Sequence, residues 1–264
     1  MTTSTERRVP RADCIADSAG GITFDIAGTS APDAVLVLKR SGGPGGVQDE
    51  TRLPLTPTGE GSSRAVLPST VELAEGRWEA YVGDEAVEPG IRDLRTLLDR
   101  TPDADRITVR VPYPTADGRL AVRCWVRAPH AEAGEIGLAP ERGAMTVEGR
   151  LYGAELGEGA VAEARLRGSD KSYRAPVTGG DGGAFGFTLP YGPLAEQHLG
   201  KQALWDMWLR PTADAAWIRI ARILDDIHDR KNIFVYPKLR SGDWLAAPCY
   251  TSDNELCVRL TAAP

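Results

Sequence analysis

One tryptophan-centred segment occurs twice in this chain of 264 residues, and this repetition constrains the fold more than any other feature. The first copy is residues 77–82 (RWEAYV) and the second is residues 204–209 (LWDMWL), so Trp78 corresponds to Trp205. In both copies an acid follows the tryptophan, and the side chains alternate as they do in a β-strand with one buried face. We therefore interpret both tryptophans as core residues of two related β-domains.

Further blocks match on either side of the tryptophan segment, and they follow the same order in both halves. Residues 52–68 match residues 174–190 at an offset of 122 (174 − 52), and the tryptophan segment matches at 127 (205 − 78). A last block, residues 112–123, matches residues 248–259 at an offset of 136 (248 − 112). The offset changes only between blocks, where turns tolerate insertions, so the pattern predicts a tandem duplication.

The predicted fold is all-β. Each repeat contains about seven short apolar strands separated by Gly, Pro and Asp turns, which is typical of an immunoglobulin-like or fibronectin-like β-sandwich. The predicted divisions are a disordered tail (1–19), sandwich domain one (20–128), a linker (129–141) and sandwich domain two (142–264).

Two local features of the repeats are predicted as well. Asp117-Gly118 and Asp253-Asn254 favour tight type I′ hairpin turns. Apolar residues at helical spacing predict a short helix inserted between strands in 90–99 and in 215–229, although residues 217–220 also alternate as a strand would.

Charge and cysteine content restrict the partners and the location. The formal net charge is −6, so a nucleic-acid partner is not expected. No run of 18 apolar residues exists, which excludes a transmembrane helix, and no apolar segment follows the polar N-terminus as in a signal peptide. The four cysteines form no CxxC pair, so we expect a reducing cytoplasm, with a Cys249–Cys257 bridge across a predicted hairpin as the alternative.

No catalytic residue is assigned from the sequence. The three histidines (His130, His198 and His228) have no GxSxG or reactive-cysteine motif nearby, so a catalytic triad is not predicted. Residues 225–229 (DDIHD) have metal-ligand side chains, but a solvated acidic segment is the simpler interpretation, and neither a metal nor a cofactor is expected. The glycine-rich loop at 41–46 lacks the GK[ST] of a phosphate-binding loop and is interpreted as a turn.

The candidate ligand-binding surface is the last hairpin of the first repeat. Alternation places one set of its side chains opposite the core: Arg106, Arg110, Arg123, Trp125 and Arg127. Arginine and tryptophan together suit sugars, phosphates and anionic polymers, through stacking and bidentate hydrogen bonds. The alternative is an interface between domains, or arginine stems packed on the tryptophan. In the second repeat the candidates are Trp208, Trp244 and Tyr250.

A family resemblance rests on these same segments. The run from Gly76 to Val82 (GRWEAYV) is followed by an Arg- and Leu-rich stretch and then by Pro112-Tyr113 with Thr115, Asp117, Leu120, Val122 and Arg123. This pattern resembles accessory β-sandwich modules of actinobacterial glycosyltransferases and of CDP-glycerol-type polymer transferases of wall teichoic-acid synthesis. It covers residues 75–128 and 203–261, but the second repeat lacks the glycine before its tryptophan and has an insertion near 241–245. The resemblance implies a non-catalytic module that works beside a transferase.

Three functions remain open at this point. The first is a non-catalytic binding protein whose partner is a glycan, a polyol-phosphate polymer or a transferase. The second is an enzyme whose active site lies between the two domains, with Asp225, His228, Trp244 and Tyr250 as the first residues to test. The third is a structural scaffold that forms a homodimer.

Overall fold

The computed structural model describes residues 9–29, 33–41, 49–59, 61–103, 105–197, 200 and 202–264. This part of the chain is mainly β-structure, so the predicted all-β class is confirmed. The chain divides into two compact units. Unit one consists of residues 1–102, 108–126 and 224–228, and unit two of residues 103–107, 127–223 and 229–264. None of the described helices is long and apolar enough to cross a membrane.

Unit one is built from two sheets. Its strands are β1 (Arg11–Ala16), β2 (Ile22–Ala27), β3 (Val35–Ser41), β4 (Glu50–Pro54), β5 (Thr56–Gly59), β6 (Ser62–Leu67), β7 (Gly76–Val82), β8 (Glu85–Ala86), β9 (Glu88–Asp93), β10 (Ile107–Pro114) and β11 (Leu120–Arg127). One sheet has the order β5-β6-β2-β1-β9 and the other β10-β11-β7-β3-β4, with β8 paired to β7. A 3-10 helix at Arg95–Asp99 follows β9.

Unit two contains a closed barrel. Its strands are β12 (His130–Ala139), β13 (Ala144–Tyr152), β14 (Val161–Leu166), β15 (Ser172–Gly179), β16 (Ala184–Pro190), β17 (Gln202–Arg210), β18 (Ile218–Ala221), β19 (Leu239–Ser241), β20 (Trp244–Tyr250) and β21 (Leu256–Ala262). Seven strands close in the order β14-β15-β16-β13-β12-β18-β17, because β17 also pairs with β14. Strands β21, β20 and β19 extend the sheet from β17. The helices of this unit are short: α1 (Gly192–Glu196), α2 (Arg230–Ile233) and 3-10 turns at Pro140–Arg142 and Asp181–Gly183.

Equivalent strands occupy equivalent places in the two units. The order β6-β2-β1-β9 in unit one has the counterpart β16-β13-β12-β18 in unit two, and both include one parallel pair, β1–β9 and β12–β18. Likewise β10-β11-β7-β3-β4 has the counterpart β20-β21-β17-β14-β15. The units differ because the continuous strand β15 of unit two takes the place of the separate strands β4 and β5 of unit one, and because β17 also pairs with β18. These two features join the sheets of unit two into a barrel. Unit two is therefore not the open sandwich that the sequence predicted.

The repeated tryptophans lie in the cores, as predicted. Trp78 on β7 is 2% exposed and donates its indole N–H to the Ala74 carbonyl at 3.0 Å. Trp205 on β17 is fully buried within the apolar core of unit two. The acids that follow them pair with arginines. Glu79 lies 3.8 Å from Arg119, and Asp206 pairs with two arginines described below.

Three predicted local assignments are wrong, and a fourth is right in part. Residues 11–16 form β1 and residues 130–139 form β12, although the sequence pattern predicts a disordered tail and a linker there. Their alternating buried residues are small, Ala12, Cys14 and Ala16 in β1, and so they give a weak hydrophobic signal. The predicted helix in 215–229 is instead the strand β18 followed by irregular chain. In 90–99 a short helix does form, but it is a 3-10 helix limited to Arg95–Asp99, after β9.

The two repeated hairpin turns also differ from the type I′ prediction. In each, a four-residue turn closes with an N–H to C=O bond, from Gly118 to Thr115 at 3.0 Å and from Asn254 to Thr251 at 3.1 Å. Only the last residue of each turn is left-handed, with φ of 78° at Gly118 and 58° at Asn254. This is the longer hairpin loop with a single left-handed residue, which needs glycine or asparagine at one position only.

We expect Asn254→Ala to destabilise unit two by about 2–3 kcal/mol. An alanine in left-handed backbone costs about 1 kcal/mol, and the buried Asn254 Oδ1 would no longer accept the Arg230 backbone N–H at 3.0 Å. Gly118→Ala is the matched control, because its Cβ would meet nothing within 4 Å. It should cost about 1 kcal/mol only. Urea unfolding measures both, and equal losses would show that the Asn254 side chain does not stabilise the turn.

Candidate functional site

The arginine–tryptophan face predicted on the last hairpin of unit one is not an open surface. Trp125 is fully buried, Arg110 is 2% exposed and Arg123 is 7% exposed. The Arg123 guanidinium lies 5.0 Å from the centre of the Trp125 ring, so the alternative of arginine packed on tryptophan is what the structure shows. Arg110 donates to the backbone carbonyls of residues 20, 68 and 71. Both faces of this hairpin are covered, and strand alternation cannot distinguish a covered polar face from an exposed one.

The other predicted ligand residues are dispersed. Arg106 is exposed, whereas Arg127 is half-buried and lies 4.0 Å from Glu255. Trp244 is half-buried against the core of unit two. Tyr250 is 2% exposed, its ring centre lies 6.4 Å from that of Tyr236, and burial raises the pKa of its hydroxyl.

Trp208 belongs to a stack of side chains on the outer face of unit two, which we term the tryptophan ladder. Its members are Arg165, Arg174, Trp208, Arg210, Trp217 and Arg219. The Arg165 guanidinium is 4.8 Å from the Trp208 ring centre and 4.5 Å from that of Trp217. Arg219 lies over the same Trp208 ring at 5.3 Å. Cross-strand register explains the alignment, because Trp208 is opposite Arg219 on β18.

Carboxylates neutralise most of this ladder. Glu163 pairs with Arg165 at 2.9 Å and Arg174 at 3.4 Å, and Asp206 pairs with Arg219 at 2.8 Å. Although partial burial raises the pKa of Glu163, its hydrogen bonds with Ser172 and Arg165 hold that pKa below the usual value. Stacked, paired arginines of this kind stabilise a sheet face, and they leave little positive charge for a ligand.

A second feature of unit two is a concave pocket of about 100 Å³, which we term the β20 pocket. Its lining consists of Lys231, Phe234, Val235, Tyr236, Lys238, Leu245, Ala247, Pro248, Cys249, Arg259 and Thr261. The alternate residues Leu245, Ala247 and Cys249 share one face of β20, and Arg259 lies opposite Ala247 on β21. The segment between α2 and β19 supplies the remaining wall. The pocket therefore lies on the face of β20 and β21 that is turned away from the buried Ala246 and Leu260.

Positive charge without a neighbouring carboxylate distinguishes the β20 pocket from the tryptophan ladder. Lys231, Lys238 and Arg259 line it, no acid does, and no ion pair joins these three to a carboxylate in the described ranges. The Arg259 Nε is shielded from solvent and donates to no described acceptor. A buried donor without an acceptor is uncommon in folded proteins, and a bound ligand is one way to satisfy it.

The remaining lining residues define what the β20 pocket can do chemically. Phe234 and Tyr236 offer aromatic surfaces, and Leu245, Ala247 and Pro248 offer aliphatic ones. The nucleophile in the lining is Cys249, and burial raises the pKa of its thiol, so the unreactive protonated form dominates. The lining contains no histidine or carboxylate that would act as a general base. Cations combined with ring and aliphatic surfaces favour binding of an anionic sugar or polyol.

The residues of the enzyme hypothesis are engaged in local contacts. Asp225 accepts the Ile227 backbone N–H at 3.0 Å, and the His228 ring stacks on Tyr113 within unit one at a centre distance of 4.5 Å. Across the described ranges, no three His, Cys, Asp or Glu side chains are placed to hold one metal ion. All four cysteines are free thiols, including the cross-strand neighbours Cys249 and Cys257. His198 and the glycine-rich loop from residue 42 onward lie outside the described residues.

Sequence reasoning missed the β20 pocket because its parts are far apart in the chain. The segment from Phe234 to Lys238 (FVYPK) does combine aromatic and basic residues, and this was the available signal. Its partner Arg259 falls in the repeated strand, where it corresponds to Arg123 of the first repeat (123 + 136 = 259). The same strand position is covered by a tryptophan contact in unit one and lines a pocket in unit two.

Comparison with known proteins gives distant structural neighbours only. No family model and no curated protein matches the sequence. Among solved structures, residues 217–571 of S. aureus TarS align with a TM-score of 0.40 and 10% identity over 52% of this chain and 40% of that one. A second TarS structure has a TM-score of 0.29 and 14% identity, over 78% of this chain and 38% of that one. Pullulanase from Anoxybacillus sp. LM18-11 complexed with maltotriose has a TM-score of 0.28 and 9% identity, over 83% of this chain and 26% of that one. The chain thus spans less than half of each of these proteins.

Proposed function

We propose that this protein is a non-catalytic binding protein for an anionic carbohydrate-type polymer, such as a polyol phosphate or an acidic glycan. The observation that carries the proposal is the lining of the β20 pocket, where three cations face one cavity with no carboxylate among them. Phosphate and carboxylate groups bind arginine and lysine through short charge-assisted hydrogen bonds. The aromatic and aliphatic walls suit the carbon face of a sugar or polyol.

Two repeated units are consistent with such a role. We infer that the units are copies of one β-sandwich ancestor, and the equivalent strand orders and the matching sequence blocks support this inference. Arg259 of the pocket corresponds to Arg123 of the first copy, which is buried, so this arginine is available to a ligand in the second copy and not in the first. Ligand binding in this scheme is a property of unit two.

The test of this function is binding of a glycerol-phosphate oligomer to the full chain. We expect the double variant Lys231→Gln/Arg259→Gln to lose at least tenfold in affinity, because it removes two of three charges from the pocket. Titration calorimetry at two salt concentrations measures the effect, and the affinity of the natural chain should fall as salt rises. Neutral dextran of the same length should bind neither protein.

The control is Arg142→Gln, which removes one positive charge outside the pocket. Arg142 is 74% exposed in its side chain, has Glu141 as its neighbour at 3.6 Å and does not line the pocket. Its variant should bind the oligomer as the natural chain does. If the pocket variant keeps full affinity, or if dextran binds equally well, the proposed function is wrong.

A further inference from the structure

The Arg100 guanidinium in unit one has no hydrogen-bond acceptor among the described residues. Its Nε, Nη1 and Nη2 atoms are all shielded from solvent, and none of them donates to an acceptor in the described part of the chain. Burial lowers the pKa of this guanidinium, Asp17 opposes the effect and the positive field of Arg110 adds to it. Burying a charged group without hydrogen-bond acceptors is strongly unfavourable, so the guanidinium of Arg100 is expected to have a partner that is not part of the protein chain.

Arg110, whose charge acts on Arg100, is itself incompletely satisfied. Its two Nη atoms donate to the carbonyls of Gly20, Pro68 and Val71, but its Nε is buried and has no acceptor among the described residues. Carbonyl oxygens satisfy donors without cancelling the positive charge. The two guanidiniums therefore leave four buried N–H-bearing nitrogens without acceptors and two like charges within range of each other.

We propose that Arg100 and Arg110 together bind one small oxyanion, of the size and chemistry of phosphate or sulfate, inside unit one. A guanidinium presents its donors in a planar fork that matches two oxygens of an oxyanion. Buried water would accept the hydrogen bonds but would add no negative charge, and the single carboxylate Asp17 acts on two guanidiniums. The carboxylate that acts on both arginines is Asp17, and its Oδ1 already accepts the Gly21 backbone N–H at 2.8 Å.

The site is specific to unit one. The positions of the second repeat that correspond to Arg100 and Arg110 are Ile227 (100 + 127) and Ala246 (110 + 136), and neither carries a charge. Both arginines belong to unit one, whereas every residue that lines the β20 pocket belongs to unit two. The inference is thus independent of the proposed function and is tested separately.

Equilibrium dialysis of radiolabelled inorganic phosphate against the full chain tests the site. The Lys231→Gln/Arg259→Gln background removes the β20 pocket from the measurement. In that background we expect one phosphate per chain, with at least a tenfold loss of affinity in Arg100→Gln. Sulfate should compete, and chloride at the same ionic strength should not. Arg95→Gln is the control, because Arg95 is 88% exposed in its side chain, pairs with Asp93 and should leave phosphate binding unchanged.

Thermal unfolding gives a second readout that a merely structural arginine would not produce. In buffer free of phosphate and sulfate, Arg100→Gln should melt a few °C above its parent, because it removes an uncompensated buried charge. Phosphate should raise the melting temperature of the parent but not that of the variant. Phosphate binding that is unchanged in Arg100→Gln, equal competition by chloride, or no bound phosphate in the parent would each overturn the proposal.

Discussion

Trp205→Ala is expected to destabilise unit two by roughly 3–5 kcal/mol, the usual cost of removing a large aromatic side chain from a packed core. Trp205 is fully buried, and its strand β17 pairs with three others, β14, β18 and β21. The lost side chain would leave a cavity at the junction between the closed barrel and the three-stranded extension. Urea unfolding followed by far-UV circular dichroism measures the loss, and it should appear as a lower midpoint for unit two.

Trp208→Ala is the matched control on the same strand. Trp208 points to the outer face, where it is half-buried between Arg165 and Arg219. Its removal should cost about 1 kcal/mol, since it loses two cation–π contacts and no core packing. If both variants unfold at the same midpoint, Trp205 is not the core residue that the structure assigns, and the tryptophan ladder contributes more than stacking alone explains.

The β class could be predicted from the sequence because it depends on local patterns of alternating side chains. Alternation around Trp78 and Trp205 identified their strands and their buried faces correctly. Closure of the barrel could not be predicted in this way. It depends on the continuity of β15 and on the pairing β17–β18, which are decided by chain geometry across the unit. In unit one the strand equivalent to β15 is divided into β4 and β5, and β7 and β9 stay in separate sheets.

The covering of the arginine–tryptophan face on the last hairpin of unit one could not be predicted, for a related reason. Strand periodicity places Arg123 and Trp125 on one face correctly, but it carries no information on what covers that face. Arg110 was assigned to the same face wrongly, because it contacts the side chain of Cys124, which points the other way from its neighbours in β11. The cations of the β20 pocket come from two segments, 231–238 and β21, which meet only in the folded unit. Alternation thus finds which side chains share a face, and tertiary packing decides whether that face is open.

Asp206→Asn is expected to destabilise unit two by roughly 1–2 kcal/mol at neutral pH, because it removes one of the two carboxylates that pair with the nearly buried Arg219 and leaves only Glu255, at 3.3 Å. Asp206 is 20% exposed in its side chain and pairs with Arg219, 11% exposed, at 2.8 Å and with Arg167 at 2.6 Å. It also accepts the Cys257 thiol at 3.2 Å. Arg167 is half-exposed and solvent screens its share, so Arg219 accounts for most of the expected loss.

The pH dependence of this loss distinguishes charge from packing. Partial burial raises the pKa of Asp206, but the Arg167 hydrogen bond and the Arg219 charge outweigh it and hold that pKa below the usual value. A depressed folded pKa stabilises the protein above the unfolded value of about 3.9, and this stabilisation is lost as the pH falls through the folded pKa. The difference in unfolding free energy between the natural chain and Asp206→Asn should therefore be constant from pH 7 to about 5 and shrink below about pH 4.

Urea unfolding across that pH range measures this difference. The exposed pair Asp93–Arg95 is the control, because Asp93→Asn should change stability little at any pH. A gap that stays constant down to pH 3 would mean that Asp206 stabilises unit two through shape and neutral hydrogen bonds, and that its charge does not matter.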